Sequence, residues 1–156
     1  MQIRIANRQD EKKILQFASE IKLEFTGESD TPESVADLSN IEASYFGHDG
    51  VFLLAEEEGK IVAIAGAKMI DEDVLAVRRI CVAKDWRAKG IARQLIKVII
   101  PIAQRLLYKQ LVYYPAPSCG QTPSAEKNAT GFFEALGFTK HISANGKTPF
   151  LALRLP

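Results

Sequence analysis

The chain has 156 residues, of which 47% are hydrophobic and 25% are charged, and its formal net charge is +1. This length and composition are typical of one globular domain, residues 1–156, that buries a core without needing a metal ion or a disulfide framework. The nearly neutral charge argues against a nucleic-acid-binding protein, because such domains carry a clear basic excess.

The first half of the chain predicts three strands and two helices. In order these are a strand over residues 3–6, a helix from Asn7 to about Phe25, a helix from Thr31 to about Tyr45 and a hairpin over residues 51–70. Asn7 and Thr31 are good N-caps, and Pro32 suits the first position of a helix. The hairpin is predicted to turn at Glu58 and Gly59.

The second half predicts a strand, two helices that flank a further strand, and a hairpin. These are a strand over residues 74–83, a helix over about residues 91–106, a strand over residues 110–114, a helix from about Ala125 to Leu136 and a hairpin over residues 138–155. Pro101 lies inside the first of these helices and predicts a kink, and Gly137 is a suitable C-cap for the second. Strands and helices in this order indicate a mixed α+β domain.

Charge is unevenly distributed along the chain. Residues 20–58 hold eleven acidic residues and one basic residue, whereas residues 78–97 hold seven basic residues and one acidic residue. Two solvated faces would explain this distribution. The alternative is a site with one side for an anionic ligand and another for a cationic ligand.

The stretch WRAKGIARQL, residues 86–95, places basic residues and a glycine where an amphipathic helix is predicted to begin. A helix N-terminus exposes N–H groups and attracts anions. Gly90 and Ala92 leave room for a close approach, while Arg87 and Lys89 add positive charge. The stretch therefore predicts a phosphate-binding site, and a basic helix start without a ligand is the alternative.

Two stretches resemble the GCN5-related N-acetyltransferase (GNAT) superfamily. RRICVAKDWRAKGIARQLI, residues 78–96, is similar to its acetyl-CoA-binding motif, and NATGFFEALGF, residues 128–138, is similar to the end of a later helix of the family. The resemblance implies a GNAT-like α+β fold with a central, mostly antiparallel, twisted sheet that is splayed between its fourth and fifth strands and flanked by helices. It also implies an acyltransferase that uses acetyl-CoA as co-substrate.

The resemblance assigns the cofactor site residue by residue. The backbone of residues 80–82 would pair with the pantetheine arm like an added strand, and residues 87–92 would hold the pyrophosphate. The residues that it places at acetyl-CoA are Ile80, Cys81, Val82, Arg87, Ala88, Lys89, Gly90, Ile91, Ala92, Arg93, Asn128 and Phe133.

The catalytic positions depart from the family pattern. The usual general acid is a tyrosine, but the matching residue is Phe133, which has no proton to donate. Ala76 stands where the family often has a glutamate on the fourth strand. We expect Tyr114 as the substitute acid, with Tyr113, water or an unassisted thiolate as alternatives. The candidate base is Asp73, and the alternatives to it are Glu24, Glu42 and Asp71.

The expected reaction is direct transfer of an acetyl group from acetyl-CoA to a primary amine, with a small cationic acceptor favoured by the acidic run. Glu24 and Tyr45 are expected to border this acceptor, which is a small molecule or a peptide. The alternative function is a catalytically weak acyl-CoA sensor, which Phe133 and Ala76 favour, and transfer of a longer acyl chain is a further option. Either a monomer or a homodimer is compatible with the sequence.

The expected location is the cytoplasm. Cys81 and Cys119 lie in unrelated local patterns, which predicts reduced thiols, and the first residues hold no apolar signal core. The longest aliphatic stretch, residues 98–103, is too short to span a bilayer. We therefore expect no membrane partner, no nucleic-acid partner and no metal ion.

Overall fold

The computed structural model describes residues 1–26, 35–114 and 130–156, except for the side chains of residues 24–26 and 48. The strands in these residues are β1 (Gln2–Ile5), β2 (Val51–Glu57), β3 (Lys60–Asp71), β4 (Val74–Val82), β5 (Gln110–Tyr113), β6 (Thr139–Ile142) and β7 (Pro149–Arg154). The helices are α1 (Glu11–Thr26), α2 (Ile41–Ser44) and α3 (Ile91–Arg105), and residues 130–135 are also helical and form α4.

The seven strands form one sheet in the order β1-β2-β3-β4-β5-β7-β6. The neighbouring strands run antiparallel except for β4 and β5, which are parallel. Parallel neighbours need a crossover connection, and α3 lies in the chain between these two strands. The expected α+β architecture with a mostly antiparallel sheet is confirmed.

The helix predicted from Thr31 to Tyr45 is wrong over its described part. Residues 35–39 form turns, and α2 is a separate helix of four residues. The side chain of Asn40 caps it by accepting a hydrogen bond from the Ala43 backbone N–H at 3.1 Å. Such a side chain competes with helix formation in its own segment, so Asn40 begins a new helix instead of continuing an earlier one. Residues 31–34 lie outside the described residues.

The other predicted elements are observed where the chain is described. Asn7 caps a short 3₁₀ turn that leads into α1, and α3 continues through Pro101 to Arg105. Glu58 and Gly59 turn the β2–β3 hairpin with φ angles of 51° and 78°, as a type I′ turn requires. Among the described residues, every helix is too short or too polar to cross a membrane.

Two apolar layers cover the two faces of the sheet. The first layer contains the buried face of α3 and Phe133 of α4, and the second contains the buried faces of α1 and α2. The side chains that β3 turns towards α3 are Ala63, Ala65 and Ala67, and all three are completely buried. Because methyl groups occupy little space, α3 packs directly on the middle of the sheet and its N-terminus is held beside the end of β4.

Candidate active site

The centre of the sheet is interrupted by a bulge on β4. Ile64 of β3 faces Cys81 and Gly66 faces Arg78, so the single residue between them opposes two residues of β4, Arg79 and Ile80. Arg79 has a left-handed backbone conformation with φ of 57°. An extra residue of this kind bends the strand and increases its twist, which turns the second half of β4 away from its former direction.

Within the described residues, the sheet opens just before this bulge. The parallel pairing of β4 with β5 covers Val74–Val77 opposite Gln110–Tyr113 and ends there. The pairing of β4 with β3, in contrast, continues to Val82. Residues 78–82 thus turn one edge towards β3 and the other edge towards the gap left by β5. The expected splay between the fourth and fifth strands is confirmed.

The loop that follows β4 has the backbone of an anion-binding site. Ala88 and Gly90 both adopt left-handed conformations, with φ of 60° and 81°. Gly90 is the N-cap of α3 and makes no side-chain capping bond, and the first helical hydrogen bond runs from the Gln94 N–H to its carbonyl at 3.0 Å. By helix geometry, the N–H groups of residues 91–93 precede this bond and are available to a ligand.

Space and charge at this helix start both suit an anion. Among the described residues, a Cβ atom built on Gly90 would meet no atom within 4 Å beyond its chain neighbours and its own helix, so this part of the structure leaves the volume above the glycine open. The first turn of α3 contains no acidic residue. Lys89 lies above the ring of Trp86, with its Nζ 5.0 Å from the ring centroid. The donors, the open space and the positive charge together fit a pyrophosphate group.

Arg87 makes a contact that the sequence did not indicate. Its Nε donates a hydrogen bond to the Val82 carbonyl oxygen at 3.0 Å, and the residue is half-buried. The guanidinium therefore ties the loop to the end of β4. This bond fixes the distance between the open strand edge and the helix start, a role that the local sequence pattern did not indicate.

The aromatic residues near the opening lie on both faces of the sheet. Phe133 is completely buried and stacks on Tyr113, with ring centroids 4.2 Å apart. Tyr114 follows the last paired residue of β5, is 37% exposed and lies 5.5 Å from the Phe150 ring. Tyr114 is thus a phenol with solvent access at the point where the sheet opens.

Asp73, the candidate base, lies at the far end of β4. It precedes the first residue of the strand, and its carboxylate is 3.7 Å from Lys109 Nζ. Seven residues of extended chain separate it from Ile80, which corresponds to about 23 Å. The structure does not bring Asp73 to the open edge.

Tyr45, which was expected to border the acceptor, is completely buried. Its ring packs edge-to-face on Phe52 at 4.9 Å, and its hydroxyl donates to Asp37 Oδ2 at 2.6 Å. Burial, followed by the neighbouring Asp37 carboxylate, raises the pKa of the Tyr45 hydroxyl. A core position with this hydrogen bond makes Tyr45 a structural partner of Asp37. The side chain of Glu24 and all of Asn128 lie outside the described residues.

The sequence analysis missed Asp37. Arg79 holds this carboxylate with two hydrogen bonds, from Nε at 3.0 Å and from Nη2 at 2.6 Å. Burial alone would raise the pKa of the Asp37 carboxyl, but the bonds from Arg79 and Tyr45 outweigh burial and hold that pKa below its usual value. The two charged residues are 42 positions apart, so a local pattern gave no signal of the pair.

The expectation for the cysteines is wrong at Cys81. This residue is disulfide-bonded, and it is buried in the layer beneath α1 and α2. The only other cysteine of the sequence, Cys119, lies outside the described residues. The argument for a reducing compartment that rested on reduced thiols therefore loses its basis.

These features define a class of protein: an α+β fold in which a helix start suited to an anion follows a bulged strand that leaves its neighbour. The backbone conformations of residues 88–90 and the end of the β4–β5 pairing carry this assignment.

Comparisons with known proteins identify the family. The family model of the acetyltransferase (GNAT) domain matches residues 48–140. Human N-acetyltransferase 8B is 30% identical over 110 residues, which are 67% of this chain and 45% of that protein. The chain belongs to the GNAT family of acetyltransferases, and it spans about half the length of this curated relative. The resemblance seen in the sequence and the acyltransferase class are confirmed at the level of the family.

Solved structures support the same fold. A GNAT-family acetyltransferase from Staphylococcus aureus Mu50 has a TM-score of 0.83 at 20% identity, with 99% of both chains covered. A phosphinothricin acetyltransferase of the GNAT superfamily from Sinorhizobium meliloti, solved in complex with acetyl-CoA, has a TM-score of 0.76 at 20% identity. That comparison covers 99% of this chain and 88% of the other.

Proposed function

We propose that the protein transfers the acetyl group of acetyl-CoA to a primary amine by direct transfer in a ternary complex. The observation that carries the proposal is the adjacency of the open space at Gly90 and the edge of residues 80–82, which the bond from Arg87 to the Val82 carbonyl holds together. The first fits a pyrophosphate and the second fits an extended pantetheine arm. A protein that uses acetyl-CoA as donor must anchor these two parts of it.

In this proposal the backbone makes most contacts with the donor. The edge at Ile80, Cys81 and Val82 pairs with the pantetheine arm as an added strand, and one of its amides polarises the thioester carbonyl. Residues 87–92 hold the pyrophosphate through N–H groups and the helix dipole. Arg93, exposed in the first turn of α3, contacts the outer phosphate.

Tyr114 is the proposed proton donor to the departing thiolate. Transfer forms a C–N bond and breaks the C–S bond, so the amine loses a proton and the departing thiolate gains one. Phe133 supplies no hydroxyl, and its ring is packed against Tyr113. Tyr114 supports the assignment because it is partly exposed at the end of the β4–β5 pairing.

The charge of the acceptor is the finer part of the proposal. The acidic run of residues 20–58 favours a cationic amine, which carboxylates attract. Part of that charge is already neutralised, because Asp37 pairs with Arg79 and Glu42 pairs with Arg8. We propose a small cationic amine as the first candidate acceptor, with neutral and anionic amino compounds as the comparison set.

The competing function is an acyl-CoA sensor with little turnover. The missing hydroxyl at Phe133 favours this function. Because Phe133 is completely buried, no solvent molecule reaches its ring to replace the missing proton donor. A sensor needs the donor site alone, whereas a transferase also needs proton transfer at Tyr114.

A titration followed by an activity assay separates the two. The purified protein is titrated calorimetrically with acetyl-CoA and with CoA, and thiol release is then followed with pooled cationic, neutral and anionic amines. Binding with release that depends on an amine supports the transferase and identifies the acceptor class. Binding without release over the whole panel supports the sensor, and failure to bind either compound contradicts both functions.

A further inference from the structure

An ion pair connects the bulge of β4 to the segment before α2. Arg79 lies at the bulge, and both of its bonds to Asp37 are 3.0 Å or shorter. The side chains are only 14% and 25% exposed, so water screens the pair weakly. Asp37 also accepts the Tyr45 hydroxyl hydrogen bond, which leaves it held from two sides.

Arg79 is an unfavourable residue for its backbone position. Its φ of 57° is in the left-handed region, where a side chain with a Cβ atom is strained and glycine is not. A strained conformation of a non-glycine residue persists only where surrounding contacts hold it. Two hydrogen bonds to Asp37 are among the contacts that hold this residue.

Tyr45 anchors the other end of this connection beside the same bulge. Gly66 of β3 faces Arg78, and a Cβ atom built on Gly66 would lie 2.7 Å from Tyr45 Cε1. The missing side chain is therefore what lets the Tyr45 ring cross β3 at the bulge. From there its hydroxyl reaches Asp37, so a ring packed in the core fixes the position of the carboxylate.

We propose that Asp37 is a positioning residue, which through its ion pair with Arg79 holds the bulge of β4 in the shape that presents residues 80–82 to the pantetheine arm. This inference rests on the proposed function, because it assigns the edge of β4 to acetyl-CoA. Asp37 does not touch the donor; it sets the backbone conformation at Arg79, and the direction of the edge follows from that conformation. The phosphate-binding loop does not depend on Asp37.

Two ligands separate the two parts of the donor site. Acetyl-CoA uses both the edge and the phosphate-binding loop, whereas 3′-phospho-ADP lacks the pantetheine arm and uses the loop alone. We expect Asp37→Ala to lower the affinity for acetyl-CoA about tenfold, because one or two backbone hydrogen bonds to the pantetheine arm are lost. The affinity for 3′-phospho-ADP should stay unchanged. A merely stabilising ion pair would lower the melting temperature without changing the ratio of the two affinities.

The choice of residue 79 supplies a matched pair of variants. Arg79→Gly and Arg79→Ala both remove the guanidinium, but only glycine adopts the left-handed conformation without strain. We expect Arg79→Gly to bind acetyl-CoA like the wild type and Arg79→Ala to bind it about tenfold more weakly. The double variant Asp37→Ala with Arg79→Gly should recover the affinity that Asp37→Ala alone loses, a non-additive result.

The inference is overturned if Arg79→Gly and Arg79→Ala lose affinity equally, if Arg79→Gly fails to rescue Asp37→Ala, or if acetyl-CoA and 3′-phospho-ADP weaken together. Hydrogen exchange at the amides of residues 80–82 in the ligand-free protein provides a readout that needs no ligand. Faster exchange in Arg79→Ala but not in Arg79→Gly supports the inference, and equal rates contradict it. Absence of acetyl transfer by the wild type would contradict only the proposed function, because affinity and exchange still report the position of the edge.

Discussion

Gly90 gives the sharpest test of the phosphate-binding site. Its φ of 81° strains any other residue, and a Cβ atom there meets no protein atom within 4 Å. Replacing it by alanine therefore has two separable effects. The left-handed conformation costs about 1–2 kcal/mol of folding stability, and the new methyl group occupies the space in which a phosphate would approach the backbone.

The size of each effect follows from this geometry. For a chain of this length, about 1–2 kcal/mol lowers the melting temperature by roughly 2–8 °C. Loss of one or two charge-assisted hydrogen bonds, each worth about 1.5–3 kcal/mol, weakens acetyl-CoA binding at least tenfold. In Gly90→Glu a carboxylate is added close to the phosphates, and repulsion of about 4 kcal/mol at 4 Å and an effective dielectric constant of 20 reduces binding by a further factor of about a thousand.

Gly59 supplies the control, because its φ of 78° and the absence of atoms within 4 Å of its Cβ position match those of Gly90. Gly59→Ala should lower the melting temperature as much as Gly90→Ala does, and it should leave acetyl-CoA binding unchanged. The assay is thermal unfolding together with calorimetric titration of acetyl-CoA. Unchanged affinity in Gly90→Glu, or an equal loss in Gly59→Glu, would refute the assignment of this loop to the phosphates.

Three further predictions test the surrounding residues. Tyr114→Phe should lower kcat about a hundredfold if its hydroxyl protonates the thiolate, with the acetyl-CoA affinity unchanged, as steady-state kinetics and titration would report; an unchanged kcat removes Tyr114 from the mechanism. Gly66→Ala should destabilise the fold by about 1–3 kcal/mol in denaturant unfolding, because the added methyl group overlaps the buried Tyr45 ring; wild-type stability would show that the ring moves at little cost. Since the folded-state pKa of Asp37 is below its usual value, its contribution to stability is present above about pH 4 and is lost as pH falls further. Wild type should therefore lose more stability than Asp37→Asn between pH 5 and pH 3, and parallel losses would contradict the ion pair.

The sequence predicted well those parts of the fold that depend on neighbouring residues, and the phosphate-binding loop is a prediction from the same kind of local pattern. The glycine and the basic residues at the start of α3 sit within a few positions of one another, and their order alone indicated a phosphate-binding loop. The hairpins and the amphipathic face of α3 were likewise local patterns, and the structure has them where they were expected.

The parts that were missed depend on contacts between distant segments. Asp37 belongs to a long acidic run, and nothing in that run marks it as the partner of Arg79, 42 residues away. Tyr45 was expected at the acceptor because the second predicted helix borders the acceptor in the family that the sequence resembles, but its ring packs against Gly66 in the core. The helix that was predicted to reach Tyr45 is interrupted at Asn40, whose side chain caps a separate short helix. Composition alone does not distinguish one continuous helix from this arrangement.

The methyl groups between β3 and α3 have a consequence for how this protein can change during evolution. Ala63, Ala65 and Ala67 have no exposed surface, so a larger side chain at any of them must displace α3 instead of filling a void. Such a displacement moves the Gly90 loop relative to the end of β4 as a rigid unit. Packing in the interior of the fold therefore sets the spacing between the two halves of the proposed donor site. Substitutions in this interior can change which acyl donor fits without contacting a ligand.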